Sequence, residues 1–128
     1  MEKVRFSGKV FSGKSCGKKF LALPWVKRQI NASLNFIPYV GTLNIQLSDK
    51  SAERRKLLEK AVSITIHPAE GYHSGKLFKA SIGALNCAIV IPEVAGYPEN
   101  VLEIIATVNL REKFQLNDGD EITVTVNL

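Results

Sequence analysis

The sequence predicts a mainly β fold, a barrel carrying small helical insertions. Many short segments alternate apolar and polar residues, Gly, Pro, Asn and Asp separate them at close intervals, and few stretches carry helical spacing. No linker, internal repeat or low-complexity tract interrupts the 128 residues, which suit one domain able to bury a core without disulfides.

Residues 3 to 11 alternate and are rich in β-branched and aromatic side chains, so they read as a strand ending at Ser12-Gly13. A loop runs to about Lys19. Pro24 then opens a helix in which Trp25, Ile30 and Leu34 share an apolar face, because the missing N–H of proline costs nothing in a first turn. Pro38 to Gly41 form a turn. The strand that follows, residues 42–47, places Thr42 and Asn44 on one face and Leu43 and Ile45 on the other.

Ser48 or Asp49 caps a charged helix near residues 50–60, with Leu57 and Leu58 facing inward. Strands are expected at 62–66, 77–84 and 86–91, the last stopped by Pro92, with HPAEGYHSG as loop. Residues 103–108 form a further strand, Leu110 to Phe114 a helical turn, Asn117-Asp118-Gly119-Asp120 a tight turn, and Glu121 to Val126 the final strand.

Seventeen Lys and Arg against twelve Asp and Glu give a formal charge of +5, which favours polyanionic partners without naming one. Lys9, Lys14, Lys18, Lys19, Lys27 and Arg28 crowd the first quarter of the chain. No apolar run is long enough for a membrane span, and MEKVRFSGKV has no apolar signal core, so the reading is a cytoplasmic protein. Cys16 and Cys87 have no ligand-like spacing and read as two free thiols.

Residues 8–15, GKVFSGKS, match the phosphate-loop pattern G-x-x-x-x-G-K-[ST]. The context argues against that motif: Lys9-Val10-Phe11 reads as strand interior, and Gly17 interrupts the helix that should begin at Lys14-Ser15. Gly13-Lys14-Ser15-Cys16-Gly17-Lys18-Lys19 nonetheless offers amides, a hydroxyl and three ammonium groups after a strand. That composition fits either a phosphate-binding loop or a solvated basic hairpin. His67, Glu70 and His73 sit in a loop without the tight spacing of a metal motif, and no helix-turn-helix, zinc-finger or RNP-type pattern accompanies the basic charge.

Six blocks, SGKSCGKKF, LALPWVKRQI, NFIPYVGTLNIQL, AIVIP, VLEIIATVNLREKF and LNDGDEITV, follow one another along essentially the whole chain. In that order they resemble the archaeal CTP-dependent riboflavin kinases, and PYVGTLNIQL is the most specific of them. The resemblance implies a compact six-stranded cradle-loop β-barrel that transfers the γ-phosphoryl group of CTP to the 5′-hydroxyl of riboflavin, giving FMN and CDP. It implies nucleotide binding by Gly13, Lys14, Ser15, Cys16, Gly17, Lys18 and Lys19, with Gly13 as hinge, and a cytidine site at Val108, Asn109, Leu110 and Arg111. Thr42 and Asn44 would bind Mg2+, Glu103 would accept a hydrogen bond from the flavin, and Lys14, Lys18 and Lys19 are candidate catalytic charge stabilisers.

Two positions depart from the family pattern. Ser15 stands at the middle glycine of a Gly-x-Gly-x-Gly loop, and Val94-Ala95-Gly96-Tyr97 replaces a segment carrying Arg-Thr and then His. Ala95 therefore occupies a flavin-binding position without the hydroxyl that the family threonine supplies. Small-molecule substrates, no membrane and no nucleic acid are the expected partners. A non-enzymatic barrel binding a nucleotide or DNA through its basic loop is the competing reading.

Overall fold

The first strand, β1 (Lys3–Phe11), alternates exposed and buried residues and sends Val4, Phe6 and Val10 inward. A computed structural model describes residues 3–13 and 21–127. Gly8, the inward position between Phe6 and Val10, has no space for a side chain. A Cβ there would run into the Gln46 carbonyl oxygen and come within 2.6 Å of Ile45 Cγ2. The first glycine of GKVFSGKS is thus a packing residue inside a strand, set by the close approach of two backbones.

Helix α1 (Pro24–Leu34) carries proline in its first turn and ends at Asn35, whose left-handed backbone (φ 57°) lets its N–H reach the Asn31 carbonyl at 2.9 Å. Strand β2 (Leu43–Leu47) leads into α2 (Asp49–Arg54), which Ser48 caps by accepting the Ser51 N–H at 3.3 Å. The helix tightens into a 3-10 segment over Arg55–Lys60. Buried Ser51 accepts the Ser7 N–H at 2.8 Å, which fastens α2 to β1. Strands β3 (Ile64–Ile66), β4 (Gly75–Ile82), β5 (Leu85–Pro92) and β6 (Val101–Ile105) follow, then α3 (Leu110–Phe114) and β7 (Glu121–Asn127).

All strand pairs are antiparallel, in the order β3-β4-β5-β6-β2-β1-β7. The sheet closes because Ala80 and Ser81 of β4 pair with Val126 and Thr125 of β7. Six strands therefore close into a barrel, and β3 is added on the first half of β4, opposite Gly75 to Leu77. Alternate residues fill the interior, among them Phe6, Ile45, Phe78, Ile89, Leu102, Ile104 and Val124. A second core lies outside the barrel wall, where Leu21, Val26 and Ile30 pack on Ile66, Leu77, Ala88, Val90 and Ile105. Full burial of such side chains stabilises by ~1.5–3 kcal/mol each, so both layers hold the fold.

Several boundaries differ from those expected. The hairpin expected to break near residue 85 turns at Gly83-Ala84 instead, with Gly83 at φ 58°, so the strands run 75–82 and 85–92. The strand expected at 103–108 ends at Ile105, and the next carbonyl, that of Ala106, accepts the Tyr39 N–H at 2.8 Å from outside the ladder. The strand expected at 62–66 begins at Ile64, and the strand expected at 42–47 begins at Leu43. On α1 the fully buried residues are Val26 and Ile30, whereas Trp25 and Leu34 are half-buried at the margin of that core.

Candidate active site

Asn44 on β2 stands opposite Glu103 on β6, in register. Leu43, Ile45, Leu102 and Ile104 take the inward positions, which leaves Thr42, Asn44 and Glu103 on the outer face. Thr42 Oγ1 donates to Glu103 Oε1 at 3.3 Å, and the Tyr97 hydroxyl donates to Oε2 at 2.7 Å. Burial, reinforced by its bond to Glu103, pushes the Tyr97 phenol far above its ordinary value and keeps it a neutral donor. Arg55 supports the same corner. Its Nη1 donates to the carbonyls of Glu99 at 2.8 Å and Pro98 at 3.4 Å, while burial lowers its pKa from the usual arginine value.

The opposite side of this cluster meets the end of β1. The Asn44 side chain covers Gly13 so closely that a Cβ there would lie 2.6 Å from Nδ2. One residue earlier, Ser12 Oγ donates to both carboxylate oxygens of Asp118, at 3.0 and 2.9 Å. Arg111 Nη2 pairs with Asp118 Oδ1 at 2.7 Å. The arginine and serine bonds hold the exposed Asp118 carboxyl below the usual carboxylate range. Strand end, α3 and the β7 turn are thereby joined at one point.

A pocket of about 130 Å³ opens at this end of the barrel, with Tyr39, Thr42, Ala106, Val108, Asn109 and Arg111 among its lining residues. Asn109 organises its wall. Its Oδ1 caps α3 by accepting the N–H groups of Arg111 and Glu112 at 3.0 and 3.3 Å, and its Nδ2 donates to the Tyr39 hydroxyl at 3.2 Å. Leu110 reaches the pocket from the core, where it is buried.

The residues named from sequence thus fall into neighbouring groups. Val108, Asn109, Leu110 and Arg111 line the pocket, Thr42 lies on its wall, and Glu103 bonds to Thr42. Gly13 contacts Asn44. Ala95 is exposed in the turn between β5 and β6. Lys14, Ser15, Cys16, Gly17, Lys18 and Lys19 lie outside the described residues. The sequence reading did not assign Ser12, Asp118 or Tyr97 to the site. Asp118 was legible only as a turn residue, and Tyr97 only as part of a departure from pattern. Ser12 meets Asp118 from the far end of the chain, and Tyr97 meets Glu103 from a turn onto a strand, so no regular helix or strand spacing links either pair. Tyr39, placed by the sequence in the turn before β2, belongs to the pocket wall. The loop holding His67 is tied to α1 through Gln29, whose side chain bonds the His67 N–H and carbonyl at 2.7 and 2.8 Å. Among the described residues no three His, Cys, Asp or Glu side chains gather as a metal site.

Comparison with known proteins places this geometry. Residues 10–126 match the model of the family labelled CTP-dep_RFKase, described as a domain of unknown function, DUF120. The chain belongs to the CTP-dependent riboflavin kinase family. A riboflavin kinase of Sulfurisphaera tokodaii is 40% identical over 131 residues, covering 98% of this chain and 96% of that protein. One from Saccharolobus solfataricus is 39% identical over 132 residues, covering 98% of this chain and 75% of its own length. A riboflavin kinase of Methanosarcina barkeri is 34% identical over 128 residues, and there the match spans 94% of this chain but only 56% of the relative. The match thus spans from just over half to nearly all of these riboflavin kinases. Within the family's span lie both the pocket and the Thr42–Glu103 cluster, and no described helix is long and apolar enough to cross a membrane.

Proposed function

We propose that this chain is a CTP-dependent riboflavin kinase, transferring the γ-phosphoryl group of CTP to the 5′-hydroxyl of riboflavin to give FMN and CDP. The observation that carries the reading is the position of Thr42. This residue lies on the wall of the pocket formed with residues 108–111 and also donates to Glu103, so a nucleotide site and a flavin carboxylate meet at one side chain. Family membership supplies the reaction, and the adjacency supplies a place for two substrates.

In this reading the pocket takes the cytidine. Backbone carbonyls of the 108–111 segment accept the cytosine amino group, which uracil lacks. The phosphates extend towards Gly13, beside Asn44, and the following Lys14, Lys18 and Lys19 contribute positive charge. Thr42 and Asn44 would hold Mg2+: hydroxyl and amide oxygens are hard, neutral donors, which suits an ion that brings phosphate oxygens and water as its other ligands. Such an ion would neutralise charge on the phosphates. Glu103 orients the flavin by accepting a hydrogen bond, so that its terminal hydroxyl faces the γ-phosphoryl group. Phosphoryl transfer through a loose transition state needs alignment and charge neutralisation more than a strong base, and the cluster is arranged for alignment.

The test is purified protein with riboflavin, Mg2+ and CTP, ATP, GTP or UTP in turn, followed for FMN. FMN with CTP at a rate well above the other donors is the expected result. No FMN with any donor, together with salt-sensitive DNA binding, would replace this reading with that of a nucleic-acid-binding barrel.

A further inference from the structure

Glu103 is held unequally at its two oxygens. The Tyr97 bond to Oε2, at 2.7 Å, has the length of a charge-assisted O–H···O⁻ contact, whereas the Thr42 bond to Oε1, at 3.3 Å, is long and weak. One oxygen is pinned and the other remains available to an incoming donor. The phenol that does the pinning is itself fixed from both sides. On one side Tyr97 N–H closes a turn onto the Val94 carbonyl at 3.2 Å, with Gly96 supplying the left-handed step (φ 83°). On the other, Arg55 grips the carbonyls of Pro98 and Glu99. A turn and an arginine from another element therefore aim one hydroxyl at one carboxylate.

We propose that Tyr97 is a positioning residue for the flavin substrate: it locks the Glu103 carboxylate so that Oε1 faces the substrate. The proposal rests on the riboflavin kinase reading and extends it to a residue two positions from the one the family pattern points to. The role is orientation of an acceptor, not transfer of a proton.

Tyr97→Phe in the full chain removes the hydroxyl and keeps the ring. Loss of a hydrogen bond to a charged group predicts a rise of roughly tenfold in both the riboflavin KM and the riboflavin Kd, read by quenching of flavin fluorescence. The CTP KM should stay within about twofold, since neither Tyr97 nor Glu103 lines the pocket itself. Glu103→Gln combined with Tyr97→Phe should be little worse than Glu103→Gln alone, because the phenol acts through the carboxylate. Wild-type values for riboflavin in Tyr97→Phe would overturn the proposal, as would equal weakening for both substrates together with a lowered Tm. A wild-type protein that neither binds nor phosphorylates riboflavin would overturn the underlying reading and this proposal with it.

Discussion

Gly13 lies directly beneath the side chain of Asn44: a Cβ at Gly13 would stand 2.6 Å from Nδ2 and 3.1 Å from Cγ. Neither contact is tolerable unless the amide moves. The glycine at the end of β1 therefore keeps a proposed metal ligand in position, and a methyl group there acts on the site before it acts on the barrel.

Gly13→Ala is expected to lower kcat/KM for CTP roughly 10- to 100-fold by displacing Asn44, with Tm little changed. Gly8→Ala makes the informative contrast. Its Cβ meets the Gln46 backbone and buried Ile45, so overpacking should destabilise by ~1–3 kcal/mol, read as an earlier urea midpoint at unchanged m-value.

Thr42→Ala and Asn44→Ala each remove one oxygen donor at the start of β2. Turnover should fall by roughly 10²-fold while the denaturation midpoint shifts little. Thr42→Ser keeps the hydroxyl and should retain most activity. Isothermal titration of MgCTP against each variant separates lost binding from lost chemistry, and wild-type turnover in both alanine variants would refute the assignment.

Asp118 holds Ser12 and Arg111, and its folded pKa lies below the unfolded value of 3.8 because both partners favour the carboxylate. The folded state thus binds fewer protons than the unfolded chain around that pH. The stabilising contribution is present above the unfolded pKa and is lost as pH falls through the lower folded one. Thermal melts from pH 2 to 7 should show Asp118→Asn with a shallower acid limb than wild type. The side chain is exposed, so the difference near neutral pH should be small.

Burial pushes the Cys87 thiol up to about 12 from its usual 9.0. The folded protein keeps that proton where the unfolded chain releases it, so the contribution of this group to stability declines between those two values as pH rises. Native Cys87 should resist alkylation at pH 8, because the thiolate is the reactive species. In a Cys16→Ser background, labelling should follow global unfolding. Rapid labelling without denaturant would contradict the burial.

Much of the architecture could be read along the chain. Alternation announced β1, the Pro24 start announced α1, and Asn117 to Asp120 announced the last turn, since each depends on local stereochemistry that a few residues carry. Leu110–Phe114 was legible with its bounds because Asn109 is a capping residue beside its own helix. The hairpin at Gly83-Ala84 was misplaced by two residues. An apolar run buried on both faces hides the pause between strands, and only pairing register shows which glycine turns.

The site divides in the same way. Sequence by itself determined a basic, mainly β protein of the CTP-dependent riboflavin kinase family, and it put Thr42 and Asn44 on one face, because alternation on a strand is a property of the backbone. Tertiary structure alone decided which groups meet: Tyr97 with Glu103, Ser12 with Asp118 and Arg111, Gly13 with Asn44, and β4 with β7 to close the barrel. Those contacts arise from strand register and barrel closure, which sum small preferences over the whole sheet. No short stretch of sequence carries that sum. The GKVFSGKS pattern joined two unrelated pieces for this reason: Gly8 is required by the backbone of β2, and Gly13 by the side chain of Asn44.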